Sequence, residues 1–275
     1  MKKAILITGC SSGIGYTAAH ELNQRGYHVI ASCRSIEDVK RLQNEGLTCI
    51  QLDLADAKSI QLGVQKTLDL CEGRLYGLFN NGAYGQPGAL EDLPTDALRA
   101  QFEANFFGWH ELVRLILPIM RQQNEGRIIQ NSSVLGFAAM KYRGAYNASK
   151  FALEGWTDTL RLELHSSNVR IALIEPGPIE TQFRSNAKIA FLKWINVEAS
   201  IHKTEYQKQL QRLSVTESNN QFVLPPESCL PALIHALESS RPKLRYRITT
   251  PTKIFAVLKR LLPGKWLDPI LRKAA

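Results

Sequence analysis

Cysteine is sparse and unpaired in this chain of 275 residues. Five of them, an odd number, stand at Cys10, Cys33, Cys49, Cys71 and Cys229 with no C-x-x-C spacing. That pattern argues against a disulfide framework and a cysteine zinc site, and it suits a reducing cytoplasm. The six histidines also lack close metal-ligand spacing, so no metal is expected. No Pro/Gly/Ser-rich linker or internal repeat divides the chain, and 44% hydrophobic content is enough for one buried core. Residues 1–275 are therefore read as a single domain. An apolar leader is missing too: Lys2 and Lys3 precede only four apolar residues before Thr8 and Gly9, which makes that run a strand. Acidic residues are scarce at the other end. Residues 241–275 hold ten Lys and Arg against Asp268 alone and so carry the whole net charge of +9. Basic stretches of this kind serve nucleic acid, an anionic membrane surface or merely a solvated rim; no nucleic-acid partner is expected here.

What is present is more specific. Tyr146 and Lys150 lie four residues apart, so a phenol and an ammonium share one helix face, where the cation can make the phenol more acidic. Ser133 ends a β-branched run, Arg127 to Asn131, that reads as a buried strand meeting a loop. At the amino terminus an apolar strand, Ala4 to Ile7, enters a glycine-rich turn carrying Gly9, Gly13 and Gly15, followed by an amphipathic helix. Strand, glycine turn and helix in that order form a phosphate cradle, in which Ser11, Ser12 and Ile14 lie beside the glycines.

Besides Ala4 to Ile7, six strand-like runs, near Val29–Ser32, Thr48–Leu52, Leu75–Asn80, Arg127–Asn131, Arg170–Glu175 and Leu244–Ile248, alternate mostly with helix-period segments. The alternation predicts an α/β fold of the doubly wound type, with about seven parallel strands flanked by helices and the ligand across the strands' carboxyl ends. Residues 182–225 break the pattern and are expected to form a substrate lid. Residues 250–275 form a basic, amphipathic extension too short and too charged to span a bilayer. It either lies on an anionic membrane or packs over the cleft or a neighbouring subunit, and packing is the reading preferred here. The expected location is cytoplasmic, with membrane association through this tail left open.

These motifs together resemble the single-domain short-chain dehydrogenase/reductase family, marked by Thr-Gly-x-x-x-Gly-x-Gly, a serine and Tyr-x-x-x-Lys. The resemblance covers nearly the whole chain. Residues Ile7 to Gly15 and Ile174 to Pro178 look close to a bacterial branch of NADP-dependent aldehyde reductases, with relatives among retinol and hydroxysteroid dehydrogenases. The resemblance implies a Rossmann-type fold and hydride transfer between NADP(H) and a carbonyl or alcohol. In it Tyr146 is general acid and base, Ser133 donates to the substrate oxygen, and Lys150 holds the nicotinamide ribose. Asn105 matches the asparagine of a water-linked proton relay, although a structural kink would also explain an asparagine in an apolar helix. The resemblance further places Asp53 beside adenine, Asn80 and Asn81 on the adenosine-ribose side and Ile179 and Thr181 at the nicotinamide carboxamide, and it counts Leu54, Gly82, Pro176 and Gly177 among the cofactor-binding residues. The chain reads Asn80-Asn81-Gly82-Ala83 where the family usually has Asn-Asn-Ala-Gly, which displaces the glycine by one residue.

The second strand ends on Cys33-Arg34 without a carboxylate, so Arg34 can pair with the 2′-phosphate of NADP, unless it is a solvated loop residue. Phe137, Ala138, Ala139 and Met140, with Phe183, Phe191 and Trp194, predict an apolar substrate pocket without a charge anchor, the same residues serving equally as core. Phe106, Trp109, Leu112 and Trp156 fit either a homodimer or homotetramer face or the core. Two rivals compete with a carbonyl reductase. Gly9-Cys10-Ser11-Ser12-Gly13 also spells a hydrolase nucleophile elbow, but that reading leaves Tyr146, Lys150 and Ser133 unexplained. A non-catalytic NADP-sensing or scaffold protein would commonly have lost one of Asn105, Ser133, Tyr146 and Lys150, all present here.

Overall fold

In the computed structural model, which describes residues 2–214 and 221–273, strands and helices alternate along most of the chain. The order is β1 (Ala4–Ile7), α1 (Gly13–Gln24), β2 (His28–Cys33), α2 (Ile36–Asn44), β3 (Thr48–Gln51), α3 (Ala57–Leu70), β4 (Gly77–Asn80), α4 (Thr95–Phe102) and α5 (Gly108–Gln122). It continues with β5 (Gly126–Asn131), α6 (Gly144–Glu163), β6 (Val169–Glu175), α7 (Phe183–Trp194), α8 (Lys203–Ser214), α9 (Leu230–Glu238), β7 (Arg245–Arg247), α10 (Thr250–Leu261) and α11 (Gly264–Lys273). Every strand expected from the apolar runs is present, shifted by no more than a few residues at its ends. Of the segments read as lid and tail, residues 215–220 and 274–275 lie outside the described residues, as does Met1 of the domain.

All seven strands pair in parallel in the order β3-β2-β1-β4-β5-β6-β7. A strand's side chains alternate between faces, and here both faces are apolar. Ile5, Ile7, Val29 and Ala31 meet Ala18, Leu22, Leu233 and Leu237 from α1 and α9. Leu6, Ile30, Leu78 and Ile128 meet Ile60, Val64, Leu112 and Ile116 from α3 and α5. Each fully buried Leu or Ile contributes about 1.5–3 kcal/mol, so the sheet is held from both sides. Trp109 and Leu112 are fully buried within the chain and belong to its core, whereas Phe106 and Trp156 are half-buried.

The direction in which strands are added reverses between β1 and β4: the chain steps outward from β1 to β3 on one side and from β4 to β7 on the other. That switch opens a crevice at their carboxyl ends. The tail packs against this end of the molecule: Phe255 of α10 is buried with Val134, Leu135, Ala138 and Tyr146, and Leu271 of α11 joins them. Ile254, Val257, Leu261 and Trp266 of the same tail stay exposed. Among the described residues, no helix is long and apolar enough to cross a membrane.

Candidate active site

Some helix starts are sealed by a side chain: Ser35 accepts from the Asp38 N–H, Asp56 from those of Lys58 and Ser59, and Thr249 from that of Thr252. The start of α1 differs. Ser12 makes no side-chain cap bond and the first turn carries no acid, so its N–H groups and the positive end of the helix dipole face the cavity, which Ser11, Ser12, Gly13 and Ile14 line. The turn is drawn tightly against β4. A Cβ on Gly15 would lie 2.3 Å from the Gly9 carbonyl oxygen and 2.5 Å from Asn81 Nδ2. Asn81 fastens the two loops, donating from Nδ2 to the carbonyls of Thr8 (3.0 Å) and Gly9 (3.1 Å), while the N–H groups of Asn81 and Gly82 donate to Thr8 Oγ1. The close approach makes Gly9 a position that must lack a side chain, since a Cβ there would stand 2.4 Å from the Gly82 Cα, whereas a Cβ on the shifted Gly82 would meet Leu54 Cδ1 at 2.8 Å and the Gly9 nitrogen at 3.2 Å. Donors free at a helix start beside a side-chain-free turn suit the pyrophosphate of a dinucleotide.

Opposite this cradle, Ser133, Tyr146 and Lys150 line the same cavity of about 700 Å³. Ser133 follows β5, and its hydroxyl accepts from the Leu135 N–H at 3.1 Å. Tyr146, on the first turn of α6, is 9% exposed. Burial pushes its phenol up to about 12, and the opposing influences are a hydrogen bond with Ser133 and the charge of Arg143. The amine of Lys150 is held by groups other than the phenol. Its Nζ donates instead to the Asn131 carbonyl at 2.7 Å and stands 4.2 Å over the Trp109 ring, against 5.8 Å from the Tyr146 ring. Burial itself drags the Lys150 amine down to about 7, partly offset by Glu154.

Other expected residues fall in two groups. Gly9, Gly13, Gly82, Pro176, Gly177, Ile179 and Thr181 line the cavity with Ser133, Tyr146 and Lys150. Gly15, Arg34, Asp53, Leu54, Asn80 and Asn105 do not line it. Arg34 is exposed beyond β2, close enough to Tyr84 to oppose the upward shift that burial gives its phenol, and has no ion-pair partner among the described residues. The Asp53 carboxylate accepts from the Ala55 N–H within its own loop. Asn80 is fully buried with neither amide atom paired. Asn105 lies in a π-helical turn, Glu103–Phe107, and both ends of its amide bond the Tyr84 backbone, Nδ2 to O at 2.8 Å and N to Oδ1 at 3.1 Å. That pairing supplies the buried partner an apolar helix demands.

The substrate side departs from the apolar expectation. Met140 and Phe183 line the cavity, but Phe191 is buried under α7 against Ala89, Ile195 and Tyr206. Arg143, Arg184, Arg212 and Lys273 line it too, so charge is present after all. Sequence reasoning also missed Asn131, whose carbonyl holds Lys150 and whose amide donates to Asn81 Oδ1 at 2.8 Å. A run of polar residues closing a buried strand was its one available signal.

The family model for short chain dehydrogenase matches residues 3–190. An uncharacterized oxidoreductase of Escherichia coli K12, YbbO, is 41% identical over 99% of this chain and 95% of its own length. Human retinol dehydrogenase 8 is 32% identical over 88% of this chain and 80% of its own. A solved short-chain dehydrogenase/reductase from Burkholderia phymatum, in complex with NAD, superposes with a TM-score of 0.77 at 26% identity, covering 94% of this chain and 92% of that one. With the family model matching residues 3–190 and relatives 41% and 32% identical over most of the chain, this oxidoreductase belongs to the short-chain dehydrogenase/reductase family.

Proposed function

We propose that the protein reduces an aldehyde or ketone of largely apolar body to the alcohol, reversibly, with NADPH as cofactor. The observation that carries this reading is that Ser133, Tyr146 and Lys150 line one cavity with the open start of α1. The bound nicotinamide supplies the hydride for the carbonyl carbon. The negative charge that then develops on oxygen needs a proton and a hydrogen-bond donor. Tyr146, still protonated near neutrality because burial raises its pKa, gives that proton, and the Ser133 hydroxyl donates to the same oxygen. In oxidation the phenolate takes the proton back, favoured by Ser133 and Arg143. Lys150, anchored by Asn131 and Trp109, is positioned to hold the nicotinamide ribose. Asn105, bound to Tyr84, supports the loop beside the cleft and is assigned to the proton relay on the strength of the family motif.

Preference for NADP rests on Arg34, a cation at the end of β2 without an acid partner among the described residues, where an NAD-type site would place a carboxylate. Asp53 and Leu54 are assigned to the adenine and Asn80 to the ribose side. Residues 182–225, whose helices α7 and α8 contribute Phe183, Arg184, Gln209 and Arg212 to the cavity, form the lid. Similarity to a retinol dehydrogenase supports a second reading, oxidation of a retinoid or steroid alcohol at the same site.

The test is Tyr146→Phe, assayed with NADPH and a panel of aldehydes. Cofactor binding, followed by nicotinamide fluorescence, stays near that of the natural protein, while reduction falls by about a hundredfold to ten-thousandfold. Turnover retained in the variant would place the acid elsewhere.

A further inference from the structure

Among the described residues, the charged side chains that line the cavity with Tyr146 are all cations. Arg143 enters from the start of α6, Arg184 from α7, Arg212 from α8 and Lys273 from the end of α11, and no Asp or Glu is among the described lining residues. The guanidinium groups are near enough to oppose one another: Arg212 and Arg184 both disfavour the charge on Arg143, and Arg184 disfavours that on Arg212. A folded chain gathers like charges at a cost, which burial increases unless an anion meets them. Several other arginines of this protein find acids, as Arg25 does with Glu238, Arg41 with Asp38 and Arg247 with Glu175. Arg143 and Arg212 have no acid within ion-pair distance among the described residues. Around them the wall is apolar, formed by Leu135, Met140, Phe183, Phe222 and Phe255.

We infer that the substrate is amphipathic: a carbonyl compound with an apolar body and an anionic group, carboxylate or phosphate, which Arg143 and Arg212 bind while the carbonyl reaches Tyr146 and Ser133. This deepens the reductase reading and rests on it for the carbonyl. Guanidinium groups meet carboxylate and phosphate oxygens in matched pairs of charge-assisted hydrogen bonds, and inside a cleft such bonds are worth more than at an open surface. The apolar wall then takes the body of the molecule, with desolvation supplying affinity and the arginines supplying orientation.

Binding is measured first, by calorimetry on the full chain with NADP⁺ present, using decanoate, decyl phosphate and decanol. At least one anion binds about tenfold or more tightly than the alcohol, and the better anion identifies the head group. In Arg212→Gln that advantage shrinks by about tenfold, and Arg212→Lys, which keeps the charge, restores part of it. Arg143→Gln, read by the same binding assay, is the second variant. Turnover is measured next, as the ratio of kcat/KM for a ten-carbon aldehyde acid to that for decanal; the ratio exceeds one and falls in Arg212→Gln. Equal affinity for anions and alcohol, or an anion preference untouched by both substitutions, overturns the inference. So does a rise in the NADPH KM of Arg212→Gln without loss of anion preference, which would assign the arginine to the cofactor. If neither aldehyde is reduced while the anion preference stands, the reductase reading fails and the anion site survives.

Discussion

Burial works on Tyr146 and Lys150 in opposite directions, because each is penalised in its charged form: the phenol is held protonated and the amine is pushed toward neutrality. Their spacing along α6 was legible, but not where Nζ would point, since Asn131 and Trp109 come from other elements. Arg143 was one helical turn from Tyr146 in plain view. Its role escaped notice because only the fold of α7 and α8 brings Arg184 and Arg212 beside it. Arg34 illustrates the reverse: the missing carboxylate after β2 is a local fact, and the structure adds that no acid neutralises the guanidinium among the described residues. Arg34→Glu is expected to shift the ratio of kcat/KM for NADPH over NADH by about tenfold or more toward NADH, because it removes a charge-assisted bond and adds repulsion toward the 2′-phosphate. Steady-state kinetics with both cofactors checks this, and an unchanged ratio would remove Arg34 from the site.

The strands were the most readable elements, since a sheet covered on both faces demands continuous apolar runs bounded by turn residues. The tightness of the glycine turn was not readable in the same way. Its spacing signalled a cradle, whereas the contact of Gly15 with the Gly9 carbonyl and Asn81 depends on β4 lying beside β1. Gly15→Ala must therefore move backbone. The expected result is a loss of about 1–3 kcal/mol, seen as a lower melting temperature, together with weaker cofactor binding. Gly155→Ala is the control, a helical position where a Cβ would meet nothing within 4 Å and where alanine should add about 0.5–1 kcal/mol. Equal behaviour of the two variants would mean that the turn tolerates a wider opening than its geometry shows. The excursion after Thr181 was visible as a departure from the strand-helix rhythm, but its helices α7 and α8 carry mixed faces, so which side chains enter the cavity was not.

Across the whole molecule, charge is less lopsided than the tally of cations in the tail implies. Arg245 pairs with Glu154 and Asp158, and Arg247 with Glu175, so these two cations are engaged with acids from α6 and β6. Glu175 is fully buried, and desolvation, reinforced by Glu154 and opposed by Arg247 and Arg245, lifts its carboxyl to about 7. A carboxyl whose pKa is higher in the folded than in the unfolded chain keeps its proton longer in the native state. This group's contribution to stability is therefore complete below about 4.5, its ordinary value, and lost as pH rises toward about 7. Glu175→Gln is expected to flatten the dependence of melting temperature on pH across that interval, as followed by circular dichroism. An unaltered slope would locate the titration in another group.

By itself the sequence determined the family and the alternation of strands and helices along the chain, and it made visible the glycine turn and the tyrosine–lysine spacing, because each is written locally: apolar runs, glycines around a helix start, a phenol and an amine one turn apart. The tertiary structure alone decided the partner of Lys150, the closeness of the glycine turn to β4 and the gathering of Arg143, Arg184 and Arg212 about one cavity. Those features join residues far apart in the chain, and only the packing of helices on the sheet brings such residues within reach of one another.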